Sequence, residues 1–235
     1  IMGIGLLDVA NNKCMMLRAH QTIGNSALKM RNKTLVEYYI SVMKRYSKKL
    51  LSITDIVVAD AFFSTSTFEK GMSELGFYLV SRFRDNACLH YIPKKKKRRG
   101  RPRVKGDKID LANLNLSCME ELHIDGLDGK VYTLEAYAKA LKKRVRLVIW
   151  RMPGGKCKLF FSTKLSMTGE EVLKTYRTRF QIEFCYRDSK QFTGLMDCQA
   201  RFVNVKALRD LPGQSKTHLS NPKTNKKKLW MKRKP

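Results

Sequence analysis

Two carboxylates and a handful of cations are the residues of this chain whose types and spacing suit chemistry on a polyanion. Tyr176, Arg179, Glu183 and Lys190 follow one another at intervals of three, four and seven. On a continuous helix, at about 100° per residue, they share one side. A carboxylate on such a face can bind a divalent cation, while the neighbouring Arg and Lys can neutralise phosphate. The same spacing also describes a plain amphipathic helix with solvated Arg–Glu and Glu–Lys pairs. The second acid, Asp60, follows the apolar run Ile56-Val57-Val58-Ala59. It therefore falls at the C-terminal end of a buried strand, the edge of an open α/β sheet at which ligand groups concentrate. The alternative for Asp60 is an Asx turn ahead of Ala61-Phe62-Phe63. One acid at a strand end and another on a later helix suit phosphoryl transfer by two divalent ions roughly 3.5–4 Å apart, for which a third carboxylate should come from the sheet.

The elements that must position these groups are legible as patterns. Thr168 and Glu171 form an S/T-x-x-E capping box that opens the helix carrying Tyr176 to Lys190, and Leu173, Phe180 and Phe184 form the adjacent stripe that packs on the sheet. Upstream, residues 3–18 predict a hairpin around Asn11-Asn12, since Asn tolerates the left-handed backbone of a tight turn. Leu35, Tyr39, Val42, Met43, Tyr46 and Leu50 recur at helical spacing over 34–51. The run before Asp60 lacks alternation, as a strand covered on both faces does. Ser66 and Glu69 predict the start of a helix that Gly76 ends, and Phe77 to Phe83 predict a further strand. The resulting order, β-β-α-β-α-β, is an α/β pattern.

From Asn86 to Ser166 the chain becomes mostly β: "KVYTLEA", "RVRLVIWR" and "KCKLFFST", the last two joined by a Pro153-Gly154-Gly155 turn. Trp150, inside the second of these, reads as core. The expected organisation is thus residues 1–85 as the first part of a catalytic domain, 86–166 as a β-rich insertion with a basic loop at 93–108, 167–200 as the helical region with Glu183, and 201–235 as a basic, disordered tail.

Charge narrows the partners. The chain has 48 Lys plus Arg against 20 Asp plus Glu, a net charge of +28, which favours a polyanion, duplex DNA before others. Lys94 to Lys108 alone holds ten cations: Lys94, Lys95, Lys96, Lys97, Arg98, Arg99, Arg101, Arg103, Lys105 and Lys108. Arg99-Gly100-Arg101-Pro102 has the short core of an AT-hook, in which an extended backbone lays Arg into a narrow A·T minor groove. A solvated loop that raises solubility is the plainer alternative. No apolar run approaches the roughly 18 residues of a membrane span, and an intracellular, cytoplasmic location is expected. The six Cys and four His are too scattered for a zinc site, so reduced, buried thiols are expected.

Y-x2-R-x3-E-x6-K, met here as Tyr176, Arg179, Glu183 and Lys190, resembles the YREK signature of bacterial insertion-sequence transposases of the DDE class. "VVADAFFSTSTFEKGMSELGFYLVSRFRD" resembles that family's segment around its second catalytic Asp, and "LFFSTKLSMTGEEVLKTYRTRFQIEFCYRDSKQFTGLMDCQAR" its third catalytic segment. The likeness spans about residues 3–201. It implies an RNase H-like mixed sheet flanked by helices, with Asp60 and Glu183 as metal-holding acids for Mg²⁺ or Mn²⁺. It further implies Tyr176, Arg179 and Lys190 as DNA-gripping residues, and cleavage of transposon ends followed by strand transfer, carried out as a dimer on double-stranded DNA.

One departure qualifies that expectation. The family's first catalytic Asp lies on a strand before the one matching "GIGLLDVA", and nothing here corresponds to it; the chain opens at Ile1 directly inside an apolar run, as if an N-terminal part were missing. Asp8 is the only acid before Glu37, but it adjoins the Asn-Asn turn. The expected sheet is accordingly incomplete, lacking a central strand between the hairpin and the Asp60 strand, and the expected activity of this chain alone is weak or nil. The competing class is a non-catalytic DNA-binding remnant that works through the basic loop.

Overall fold

The first strand, β1 (Met2–Asp8), and the second, β2 (Lys13–His20), form an antiparallel hairpin that is a two-stranded sheet of its own. Asn12 turns it with φ +50°, and the carboxylate of Asp8 accepts from the Asn11 backbone N–H at 3.1 Å and from Asn11 Nδ2 at 2.7 Å. Both Asp8 oxygens thus serve the turn. The computed structural model describes residues 2–20, 22–93 and 103–193. Most of the basic run (94–102), Cys198 and the tail 201–235 lie outside the described residues.

A short helix, α1 (Asn25–Met30), precedes the long α2 (Leu35–Leu51). The second has a complete capping box, Thr34 with Glu37; the first has no side-chain cap, and its sequence carries no periodic signal that would have revealed it. Strand β3 (Ile56–Val58) then leads through helix α3 (Ser66–Glu74) to strand β4 (Tyr78–Phe83), which lies parallel to β3. Thr65, not Ser66, caps α3, accepting from the Phe68 N–H, while Gly76 ends it at φ +91° as expected. Glu69 is therefore no capping partner. It is buried and accepts an ion pair from Lys143 at 2.7 Å.

Strands β5 (Leu89–Tyr91), β6 (Glu120–Leu122), β7 (Lys130–Ala138), β8 (Lys143–Arg151) and β9 (Cys157–Ser162) extend the same sheet. Its order is β3-β4-β9-β8-β7-β5, with β6 also on β7, and every pair but β3–β4 is antiparallel. The fold is thus a mixed α/β arrangement of one seven-stranded sheet, helices and a small hairpin sheet. The predicted strands and the Gly154-Gly155 turn are where expected, both glycines having positive φ. Trp150 is half-buried, donates its ring N–H to the Asp128 carbonyl and lies under Lys158.

Alternation along the strands gives the sheet two apolar faces. Leu79, Phe83, Leu147, Ile149, Leu159 and Phe161 share a core with Val42 and Met43 of α2 and Phe68 and Met72 of α3. Val80, Val131, Val148 and Phe160 share the other with Val172 and Leu173 of helix α4 (Gly169–Thr178), whose Thr168–Glu171 capping box is formed. Within the sheet β3 is an edge strand, and Ile56, Val57 and Val58 are only half-buried.

The helix expected to run unbroken through Lys190 is two helices: α4 ends at Thr178 and α5 spans Gln181–Thr193. Between them Arg179 and Phe180 sit in tight turns, with i→i−3 bonds from Arg179, Phe180, Ile182 and Glu183. The four signature residues are thus not carried on one unbroken helix. Phe180, expected on the sheet, is instead 50 % exposed. The chain falls into two units, Ile1–Glu183 and Phe184–Pro235. In the described part of the second, Arg187 lies over the Phe184 ring and its Nε bonds Asp188 at 3.1 Å. No helix among the described residues is long and apolar enough to cross a membrane.

Candidate functional site

The row that faces α4 along β3 is Ile56, Val58 and then Asp60; along β4 it is Val80 and then Arg82. Ile56, Val58 and Val80 pack in the α4 core, and Val58 pairs with Val80 in parallel register. Two residues further along each strand, period-two alternation puts Asp60 and Arg82 on the same face at the C-terminal ends of neighbouring parallel strands. The turn after β3 is fixed from β4, because Ser81 Oγ donates to the Asp60 carbonyl at 3.1 Å while Ser64 Oγ meets Ser81 Oγ at 3.0 Å and donates to the Arg82 carbonyl at 2.7 Å. Asp60 Oδ1 accepts from the Ala61 N–H at 2.7 Å and caps a 3₁₀ turn over Ala61–Phe63, so the turn-forming role weighed for this acid is present.

Helix α4 brings the second part of the cluster. Arg82 stands opposite Phe160 in the β4–β9 ladder, and the Phe160 ring meets the Tyr176 ring at 5.1 Å. Arg179 lies over Tyr176, 5.4 Å from its centroid, and its Nη2 reaches Glu183 Oε1 at 3.2 Å. The solvated Arg–Glu pair considered from the sequence therefore exists, with the Arg side chain 20 % exposed and that of Glu183 50 %. Burial pushes the Tyr176 phenol above its ordinary value near 10; Arg179 opposes this, the charge of Asp60 adds to it, and Arg82 opposes it. The phenol thus lies within electrostatic reach of Asp60, Arg82 and Arg179. Asp60, Tyr176, Arg179 and Glu183 are brought to one region of the first unit, joined through Tyr176.

The remaining expected residues are not part of that cluster as described. Lys190 is exposed on α5 in the second unit. Arg103 is exposed, and Lys94, Lys95, Lys96, Lys97, Arg98, Arg99 and Arg101 lie outside the described residues. The ends of their loop are fixed: Tyr91 N–H donates to the Asp107 carbonyl, Gly106 N–H to the Tyr91 carbonyl, and the Gly106 carbonyl sits 3.1 Å from His90 Nδ1.

Arg82 was missed by sequence reasoning. The signal was available: a lone cation on an inward row, at the end of the strand after the Asp60 strand, obeys the same edge rule as Asp60. Its Nε, like that of Arg179, is buried without a hydrogen-bond partner among the described residues.

The donor set does not fit a two-ion site. Among the described residues no three His, Cys, Asp or Glu gather as metal ligands. One oxygen of Asp60 is bonded to a backbone N–H and one of Glu183 to Arg179. What the arrangement can do is receive an anion: two planar, charged donors and a phenol flank a short carboxylate. Comparison with family models, with curated proteins and with solved structures yields no match.

Proposed function

We propose that this chain carries catalytic-domain sequence of a DDE insertion-sequence transposase, with an RNase H-like sheet, and that on its own it binds double-stranded DNA with little or no cleavage. The observation that carries this reading is the gathering of Asp60, Tyr176, Arg179 and Glu183 at the strand ends of a mixed sheet. These residues come from two segments more than a hundred positions apart, and both resemble the family's acidic segments. Tyr176 and Arg179 hold backbone phosphates, and Lys190 with Arg103 and the 94–101 cations adds affinity independent of sequence. In the complete family member, Mg²⁺ or Mn²⁺ and a third carboxylate carry end cleavage and strand transfer, within a dimer on the bacterial nucleoid. The carboxylates described in this chain are too few for that step.

The test is a supercoiled-plasmid assay with Mg²⁺ or Mn²⁺, beside duplex binding by fluorescence anisotropy. Binding that falls steeply with salt and weakens in Arg179→Ala is expected, with no nicking above that of Asp60→Ala/Glu183→Ala. Nicking abolished by those two changes would show an active transposase. Absence of binding would remove the reading altogether. The non-catalytic alternative, in which the basic loop alone binds, is favoured by the lack of a metal-ligand cluster among the described residues; it predicts binding indifferent to Arg179→Ala.

A further inference from the structure

We infer that Cys88 is a modification site: a thiol that gives its proton to His90 and exchanges with small anionic disulfides, beside the fixed ends of the basic loop. The inference stands apart from the DNA-binding reading above and uses no residue of the Asp60 cluster.

Three observations carry it. The first is a chain of hydrogen bonds that fixes where the proton goes. His90 Nδ1 sits 3.1 Å from the Gly106 carbonyl. A carbonyl only accepts, so Nδ1 carries the hydrogen and the neutral ring presents a lone pair at Nε2. Cys88 Sγ lies 3.5 Å from that Nε2, and the thiol is therefore the donor. Nucleophile, base and orienting acceptor follow one another. The second observation is position. Cys88 and His90 are two residues apart, on the side of β5 opposite Leu89, which is 1 % exposed. Both are half-buried and outside the core. Their backbones are held: the Lys139 N–H donates to the Cys88 carbonyl at 3.1 Å, and His90 stands opposite Tyr137 of β7 and bridges to Lys108. The third is charge. Lys108 and Lys139, joined to the pair by those contacts, are exposed, as are Arg103 and Lys105 close to Gly106; Asp107 is the opposing carboxylate among them. Such surroundings favour an anionic reagent over a cationic one. Other thiols lack this arrangement. Cys118 is exposed, but its sulfur meets the Ser117 hydroxyl at 3.9 Å, which is no base at neutral pH, and burial pushes the Cys157 thiol up. In the exchange the Cys88 proton passes to His90 Nε2 and the thiolate attacks one sulfur of the disulfide. A new S–S bond forms to Cys88, the old one breaks, and the other half leaves as a thiolate that takes the proton from His90. The competing account is a thiol–imidazole hydrogen bond that serves only to pack the edge of the sheet.

The experiment treats the full chain at neutral pH with oxidised glutathione, an anionic disulfide, and in parallel with cystamine, a cationic one. The rate at each thiol is followed by peptide mapping with mass spectrometry. With oxidised glutathione, Cys88 should be modified roughly tenfold faster than the more exposed Cys118. His90→Gln, which keeps a polar side chain but has no proton-accepting nitrogen, should remove that excess. Cystamine should show a smaller excess, and Lys105→Ala/Lys108→Ala should narrow the gap between the two reagents. A Cys88 rate at or below that of Cys118 in the wild type overturns the inference, as does an excess that survives in folded His90→Gln. An excess as large with cystamine as with oxidised glutathione overturns the anionic preference. Should His90→Gln fail to fold, the wild-type ratio of Cys88 to Cys118 decides alone.

Discussion

Tyr176 rests its ring on Phe160 with the centroids 5.1 Å apart and the planes at 55°. Through that contact a strand residue sets the position of a helix residue, and Arg179 in turn lies over the ring of the same tyrosine. The order of support is therefore sheet, then Phe160, then Tyr176, then Arg179 and Glu183.

Phe160→Ala should reveal this dependence. Phe160 is 4 % exposed, so truncation leaves a cavity and costs about 3–4 kcal/mol, a fall in melting temperature of roughly 6–16 °C for a chain of this size. Phe160→Leu should cost about 1 kcal/mol yet still weaken DNA binding, because a smaller, unstacked side chain no longer fixes the Tyr176 ring. Unchanged affinity in a folded Phe160→Leu protein would show that the ring contact does not position the site.

The raised phenol of Tyr176 gives a signed pH dependence. In the folded state the neutral form is favoured, chiefly by burial. At pH values between the unfolded pKa, about 10, and the raised folded one, the unfolded chain binds fewer protons than the native chain, so stability falls as pH rises. The contribution is fully present below pH 10 and is lost on passing upward through the folded value. Urea melts at pH 9 and pH 11 should therefore show a steeper loss for the wild type than for Tyr176→Phe. Equal losses would place the phenol in ordinary solvent.

Most of the fold was legible because the core is periodic. The hairpin, α2, α3, β4 and the three long strands each carry alternation, a capping residue or a Gly turn that physics ties to one conformation, and β3 an unbroken apolar run. The break between α4 and α5 was not legible. "YRTRFQIEF" has no Pro or Gly, and its four spaced residues fit one continuous helix; the tight turns at Arg179 and Phe180 break that continuity without any local breaker. Of the candidate site, Asp60, Tyr176, Arg179 and Glu183 could be named from strand-end position and spacing. Arg82 could have been named by the same rule, since it stands at the end of the strand that follows the Asp60 strand.

The Glu69–Lys143 pair joins α3 to the start of β8, with Glu69 nearly fully buried, its side chain 4 % exposed and that of Lys143 44 %. Lys143 Nζ also bonds Ser73 Oγ at 3.1 Å. Removing only the cation strands a buried carboxylate, so Lys143→Met should cost about 2–3 kcal/mol, discounted from the fully buried case by the exposed ammonium. Pairing it with Glu69→Gln should recover at least half of that loss in chemical denaturation. A double variant no more stable than Lys143→Met would mean that the lysine acts through its packing alone.

Gly169 opens α4, the helix that presents Tyr176, and it does so against the sheet. A Cβ there would fall 2.6 Å from Leu122 Cδ1, 2.7 Å from Thr133 Cβ and 2.8 Å from Thr133 Oγ1. Leu122 can turn away, but Thr133 is buried in β7 and its hydroxyl is committed to the Leu147 carbonyl at 3.1 Å. The helix start must therefore lift off the sheet, and Gly169→Ala should cost about 1–3 kcal/mol. It should also weaken duplex binding, since the Tyr176 end of the helix shifts with it. Gly24 is the matched control: it precedes α1 with φ −68° and an added Cβ meets nothing within 4 Å. Gly24→Ala should stay within about 0.5 kcal/mol of the wild type and bind DNA normally. Equal stability of the two variants in thermal melts would refute the close approach of α4 to β7 on which the placement of Tyr176 depends.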